Sequence, residues 1–120
     1  MTDRDPTYQP DCLFCRIVAG EIPSDRVYED TTVIVFRDIN PRAPTHVLAI
    51  PRRHLASAAD LTDADGDLLA ALFAALRTVA ERAGLRDYRI ISNVGPEAGQ
   101  SVLHLHFHLL GGRPMAWPPG

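Results

Sequence analysis

Between Val102 and Leu110 the chain reads Val-Leu-His-Leu-His-Phe-His-Leu-Leu, three histidines at every second position with apolar residues between them. Strict alternation is the period of a β-strand, whose successive side chains point to opposite faces. A strand over Val102–Leu110 puts Val102, His104, His106, His108 and Leu110 on one face and Leu103, Leu105, Phe107 and Leu109 on the other. The second face is wholly apolar and has to cover a core. The fold must then contain a sheet with one face packed and the other presenting a row of imidazoles. Neighbouring rings on it lie roughly 6.6 Å apart at the Cα level. That is near enough to serve one small ligand and too near for all three to carry a proton at once.

The rest of the chain supplies partners for that strand. Asp11 is placed to cap a helix over Cys12–Ala19, with Gly20 as its stop. Arg26–Glu29 and Thr32–Arg37 read as strands around a polar turn, and the unbroken Val33-Ile34-Val35-Phe36 run predicts burial on both faces. Thr45–Ile50 is a third strand, ended by Pro51. Thr62 and Asp65 have the spacing of a capping box, after which Leu68, Leu69, Leu72, Phe73, Leu76, Val79, Ala80 and Ala83 recur at helical intervals as far as Gly84. Tyr88–Asn93 and Val102–Leu110 complete five strands. The expectation is an α+β domain: an antiparallel five-stranded sheet with one long helix and a short N-terminal helix.

With 120 residues, 46% of them hydrophobic, the chain suits one core, burying roughly two-thirds of the unfolded surface. We expect a single domain over 11–120, including a C-terminal tail 111–120, behind a flexible polar tail 1–10. A net charge of −3 lacks the basic excess of a nucleic-acid binder, which argues against a polymer partner while leaving small nucleotides open. No signal-like apolar stretch or membrane-length run is present, so no membrane partner and a cytoplasmic location are expected. Cys12 and Cys15, the only cysteines, read there as a metal half-site or buried thiols sooner than as a disulfide. Arg52 and Arg53 read as ordinary solvated charge.

Three chemistries suit the histidine row: hydrogen bonding within a half-buried sheet, a metal site built on His-x-His, or covalent catalysis by an imidazole nitrogen. Spacing alone does not separate the last two. The loop Asn93–Ser101 directly before the row, with Gly95, Gly99, Gln100 and Ser101, can present backbone and side-chain donors to an anion beside a possible nucleophile.

The segment Gly99-Gln100-Ser101-Val102-Leu103-His104-Leu105-His106-Phe107-His108-Leu109-Leu110 resembles the signature of the histidine triad family at every position. Phe36–Pro41, Ala43–His54 and the ending Gly111–Gly120 agree, and together they resemble the Hint branch of that family, the nucleoside phosphoramidases. The resemblance implies a homodimer that hydrolyses purine nucleoside 5′-phosphoramidates (AMP and GMP derivatives) through a nucleotidyl-His106 intermediate, releasing a nucleoside monophosphate and an amine. His108 would hold the phosphoryl oxygens, Ser101 the leaving amine or a phosphate oxygen, and His46 would orient the others. Asn93, Gly99 and Gln100 would complete the anion cradle. Asp38 would accept the ribose hydroxyls, although by itself it reads as a turn aspartate. Leu13, Phe14, Ile17, Phe36 and Ile39 would line the base pocket, although without the resemblance they read as core. Trp117, in a proline-rich ending too short to bury it, would reach the neighbouring subunit's site and shape substrate choice. Resemblance to bacterial relatives further implies a structural zinc held by Cys12, Cys15, His54 and His104, against the alternative of buried free thiols. The competing functions are hydrolysis or phosphorolysis of dinucleoside polyphosphates, and a nucleotide-binding regulatory module with incidental catalysis.

Overall fold

The computed structural model describes residues 5–120. Short runs of β-branched and aromatic residues form β1 (Arg26–Glu29), β2 (Val33–Arg37), β3 (Thr45–Pro51), β4 (Tyr88–Ile91) and β5 (Phe107–Gly111), and the two helices are α1 (Leu13–Val18) and α2 (Gly66–Arg82). The strands make one sheet in the order β1-β2-β3-β5-β4, with every neighbouring pair antiparallel. The expected α+β architecture is the one observed. Among the described residues no helix is long and apolar enough to cross a membrane.

Apolar side chains leave both faces of the sheet and build two cores. Val33, Val35, Val47, Ala49, Leu105, Phe107 and Leu109 meet Leu72, Ala75, Leu76 and Val79 of α2 on one face. On the other, Ile34, Phe36, Leu48 and Ile50 meet Cys12, Phe14, Cys15 and Ile17 around α1. The Val33–Phe36 run is therefore buried on both sides, as its lack of alternation requires. Gly111 ends β5 where a Cβ would lie 2.7 Å from Leu85 Cδ1, so its missing side chain lets Leu85 lie over the sheet.

Several boundaries differ from the sequence reading. Cys12, not Asp11, caps α1: its Sγ accepts from the Cys15 N–H at 3.3 Å. The Thr62–Asp65 capping box is present but closes a single 3-10 turn, Asp63–Asp65, from which α2 continues. The expectation of a flexible 1–10 falls partly on residues 1–4, outside the described residues. Among residues 5–10, the Thr7 hydroxyl accepts from the His54 N–H at 2.7 Å. Arg52 and Arg53 are not simply solvated. Arg52 Nε donates to the Asp30 carbonyl at 2.7 Å and Arg53 pairs with Asp65 at 2.6 Å, tying the end of β3 to the β1–β2 turn and to the start of α2.

The largest correction concerns the histidine strand. Only Phe107–Gly111 pairs with its neighbours, while 102–106 is an irregular strap leading into it. The backbone groups a ladder would use are committed elsewhere: Leu105 N–H donates to the Leu55 carbonyl at 2.6 Å, and the His104 carbonyl receives the His106 ring. Leu103, expected in the core with Leu105, Phe107 and Leu109, is 63% exposed for that reason.

Candidate active site and metal centre

Pairing of Leu48 with His108 and of His46 with Leu110 puts His46 and His108 on the sheet face opposite α2. The strap brings His104 and His106 up beside them, so the histidines converge even though the strand does not extend that far. His106 and His108 have ring centroids 5.1 Å apart, and His46 and His108 5.2 Å. Phe14, projecting from α1, meets His106 edge-on at 5.1 Å and walls the group from one side.

A neutral imidazole carries one N–H and one lone pair, so the partner of one nitrogen determines what the other can do. His106 Nδ1 lies 2.7 Å from the His104 carbonyl, an acceptor only. The proton is therefore on Nδ1, and Nε2 keeps a free lone pair. His104 is the reverse. Its Nε2 donates to the Pro51 carbonyl at 2.9 Å, leaving the Nδ1 lone pair to face the two cysteines. In His46 a backbone donor decides: the Arg42 N–H reaches Nδ1 at 3.0 Å, so the ring proton is on Nε2. That Nε2–H points at His108 Nδ1, 2.9 Å away, with Asp38 Oδ2 at 3.4 Å. His108 consequently accepts through Nδ1 and presents an Nε2–H donor. The result is a lone pair on His106 beside an N–H on His108, an arrangement able to set a nucleophile next to an anion donor.

Burial disfavours the charged form of these rings. It pushes His106 and His46 below the ordinary value, with Asp38 acting in the opposite sense on both. Burial and then the neighbouring His106 and His46 bring His108 down from 6.5 to about 4.

The structure brings His104 together with Cys12, Cys15 and His54, whose donor atoms all lie within 4.8 Å of one another. The separations are 3.4 Å for Cys12 Sγ to His104 Nδ1, 3.2 Å for Cys15 Sγ to His54 Nδ1 and 3.2 Å between the two Nδ1 atoms. A tetrahedral shell with metal–nitrogen near 2.0–2.1 Å and metal–sulfur near 2.3 Å has edges of roughly 3.3–3.8 Å, so this donor set fits a four-coordinate soft metal. The Pro51 carbonyl fixes the ligating tautomer of His104. Burial pushes the Cys15 thiol up to about 11, so a thiolate there needs a cation beside it.

Asp38, His46 and His108 also have donor atoms within 4.8 Å of one another. His46 and His108 are hydrogen-bonded to each other, with the Asp38 carboxylate 3.4 Å from His46 Nε2. For His46 Nε2 to ligate, its proton would have to move to Nδ1 and oppose the Arg42 N–H.

The other residues singled out by sequence divide. Asp38 makes the turn contact expected of it, accepting from Asn40 N–H at 2.8 Å, while its second oxygen faces His46. Asn93 lines a cleft of about 670 Å³ with His46, His108 and Trp117. Ser101 lies with Leu13, His54 and Leu103 along a groove of about 550 Å³ on the other side of the strap. Gly99, at φ +99°, abuts the Asn93 amide, where a Cβ would lie 3.5 Å from Nδ2. Gln100 is not free to cradle an anion with its side chain. Its amide NH2 donates to the Ala56 and Val102 carbonyls and its oxygen accepts from Gly95 N–H, making it the brace of the loop. Phe14, Ile17 and Phe36 are core, whereas Leu13 is half-exposed and Ile39 fully exposed, so the five do not form one enclosed pocket. Trp117 is 83% exposed, and its segment is held by Arg89 donating to the Ala116 carbonyl at 3.0 Å. Sequence reasoning missed the Pro51 carbonyl, the Arg42 N–H and the Ser92 hydroxyl, which donates to the His106 carbonyl at 2.9 Å. The first two act through backbone and leave no side-chain signal.

His108 links the site to acid stability. Its pKa in the folded protein is depressed, so between pH 6.5 and about 4 the unfolded chain binds a proton that the folded chain refuses. The stabilisation is complete above pH 6.5 and is lost as pH falls through this window. Urea midpoints of the wild type are expected to drop between pH 6.5 and 4, more steeply than those of His108→Gln. Equal slopes would contradict the burial argument.

Known proteins resemble this chain over most of its length. Residues 11–116 match the family described as scavenger mRNA decapping enzyme C-term binding. An uncharacterised HIT-like protein of Synechococcus elongatus is 46% identical over 111 residues, covering 92% of this chain and 97% of that protein. A 14 kDa zinc-binding protein of Zea mays is 49% identical over 90% of this chain and 87% of its own. Among solved structures, a HIT family hydrolase from Legionella pneumophila superposes with a TM-score of 0.89 at 49% identity, covering 92% of this chain and 100% of that one. A HIT family hydrolase from Clostridium thermocellum does so with a TM-score of 0.87 at 44% identity, over 90% and 96%. The chain belongs to the histidine triad (HIT) family.

Proposed function

We propose that this chain hydrolyses purine nucleoside 5′-phosphoramidates, with His106 as the nucleophile. The observation that carries the reading is the hydrogen bond from His106 Nδ1 to the His104 carbonyl, which leaves the Nε2 lone pair as the attacking group. The hydrolases among the structural relatives support the reaction class.

In this reading His106 Nε2 attacks the α-phosphorus in line with the leaving nitrogen. The N–P bond to histidine forms as the P–N bond to the amine breaks, and the amine departs after taking a proton from solvent water. Water then attacks the phosphorus, the histidine–phosphorus bond breaks, and the nucleoside monophosphate leaves with release of a proton. The His108 Nε2–H donates to the phosphoryl oxygens in both steps, where charge builds up. Asn93 and the Gly99 backbone extend the anion site, and Asp38 takes the ribose hydroxyls. Leu13 and Ile39 offer exposed apolar surface to the base, backed by Phe14, Ile17 and Phe36.

Cys12, Cys15, His54 and His104 would hold a zinc ion whose four protein ligands leave no position for water, a structural role that anchors α1 and the strap beneath His106. The zinc-binding maize relative supports the metal's identity. In a homodimer, the exposed Trp117 of one subunit would approach the other's site, which accounts for an indole left uncovered within its own chain.

His106→Asn is expected to lower turnover of adenosine 5′-phosphoramidate by at least ~10³-fold while leaving the fold intact, as judged by circular dichroism. Equal turnover by both proteins, or hydrolysis of diadenosine tetraphosphate alone, would contradict the proposal. Elemental analysis is expected to find one zinc per wild-type chain purified without chelator and a large loss in Cys12→Ala. Zinc absent from the wild type would return the thiols to the core.

A further inference from the structure

The tautomers of His46 and His108 rest on the backbone N–H of Arg42, which lies in the irregular stretch between β2 and β3 and reaches His46 Nδ1, together with Asp38 Oδ2, which lies 3.4 Å from His46 Nε2. A hydrogen bond from such a stretch holds a ring tautomer only if the donor is itself held. Both backbone groups of Arg42 are engaged. Its N–H donates to His46 Nδ1 at 3.0 Å, and its carbonyl accepts from Arg113 Nε at 2.8 Å. Arg113 follows β5 by two residues, and its guanidinium is steadied by a second bond, from Nη1 to the Pro114 carbonyl at 3.0 Å. The same stretch is pressed by Gly112, whose φ of +92° admits glycine readily and whose added Cβ would lie 2.9 Å from Pro44 Cβ.

We propose that Arg113 is a positioning residue: with Gly112 against Pro44, it pins the Pro41–Pro44 loop so that the Arg42 N–H holds His46, and through it His108, in the Nε2–H form. The role assigned to His108 toward phosphate rests on the phosphoramidate reading, whereas the tautomer claim stands on geometry alone. The circuit closes on itself. β5 carries His108, and the residues just beyond β5 hold the loop that sets the proton position of His108. Arg113 and Arg42 are both exposed, so removing the Arg113 side chain opens no cavity in either core. Without the clamp, the Arg42 peptide can turn away from His46. The ring can then carry its proton on Nδ1, and Nε2 becomes an acceptor toward His108. The neutral His108 ring answers by donating from Nδ1, which removes the N–H from its outward nitrogen.

The test uses zinc-loaded protein labelled with ¹⁵N-histidine and long-range ¹H–¹⁵N correlation at neutral pH, which distinguishes the two nitrogens of each ring without any turnover. In the wild type, His46 and His108 are expected as single Nε2–H tautomers. In Arg113→Ala both are expected as mixtures, with His104 and His106 unchanged. With adenosine 5′-phosphoramidate, kcat is expected to fall about tenfold at unchanged KM, the scale of one lost hydrogen bond. Arg42→Pro deletes the N–H itself and is expected to give the same mixtures, which decides the matter if Arg113→Ala does not fold. Retention of pure Nε2–H tautomers in the folded variants, or a loss of activity without a change of tautomer, would overturn the proposal. A protein inactive on phosphoramidates that still shows the tautomer shift would fault the substrate reading and leave the clamp standing.

Discussion

A carbonyl oxygen cannot donate a hydrogen bond, and the divergence of the three triad histidines follows from that constraint. The Pro51 carbonyl takes the proton-bearing Nε2 of His104 and turns its Nδ1 toward the cysteines. The His104 carbonyl takes Nδ1–H of His106 and frees its Nε2. His108 faces another ring in place of a carbonyl, and so its proton position is inherited from His46 and the Arg42 amide. Three identical side chains, two residues apart, thus offer a lone pair toward two cysteines, a second lone pair toward the site and an N–H. No difference in side-chain chemistry is needed, only different backbone partners.

Those partners exist because the strap before β5 leaves the sheet. A regular strand through Val102–His106 would spend the His104 carbonyl or the Leu105 N–H on a neighbouring strand. By pairing Leu105 with Leu55 instead, the chain keeps the His104 carbonyl for the His106 ring. It also drops His104 to 0% exposure among Cys12, Cys15 and His54. The cost is an exposed Leu103, one side chain's worth of apolar burial. The second core is in this sense also the floor of the site, since Phe14 packs on Phe36, His104 and His106 together.

What the sequence made legible follows the same division between side chain and backbone. The five strands and the long helix were readable because their signals are side-chain periodicities: the Val33–Phe36 run for a strand buried twice, and Leu72, Leu76 and Val79 for a helix packed on one face. The alternation of His104, His106 and His108 put three rings on one side, and the Cys12–Cys15 spacing put two thiols on one helical turn. The Leu103 error arose because alternation carries no information about which backbone groups find partners. Leu55, which ends the ladder, lies 50 residues away from Leu105. Gln100 looked like a donor to an anion by residue type, yet its amide is consumed in bracing its own loop. The Pro51 carbonyl and the Arg42 amide were invisible for a plainer reason, since every residue has a carbonyl and nearly every one an N–H.

The central claim is that backbone acceptors place the protons of the triad, and neutron diffraction from a perdeuterated crystal grown near neutral pH reads those positions directly. The account predicts deuterium on His106 Nδ1 and none on its Nε2, with His104 and His108 deuterated on Nε2. Deuterium on His106 Nε2, with Nδ1 bare toward the His104 carbonyl, would contradict it.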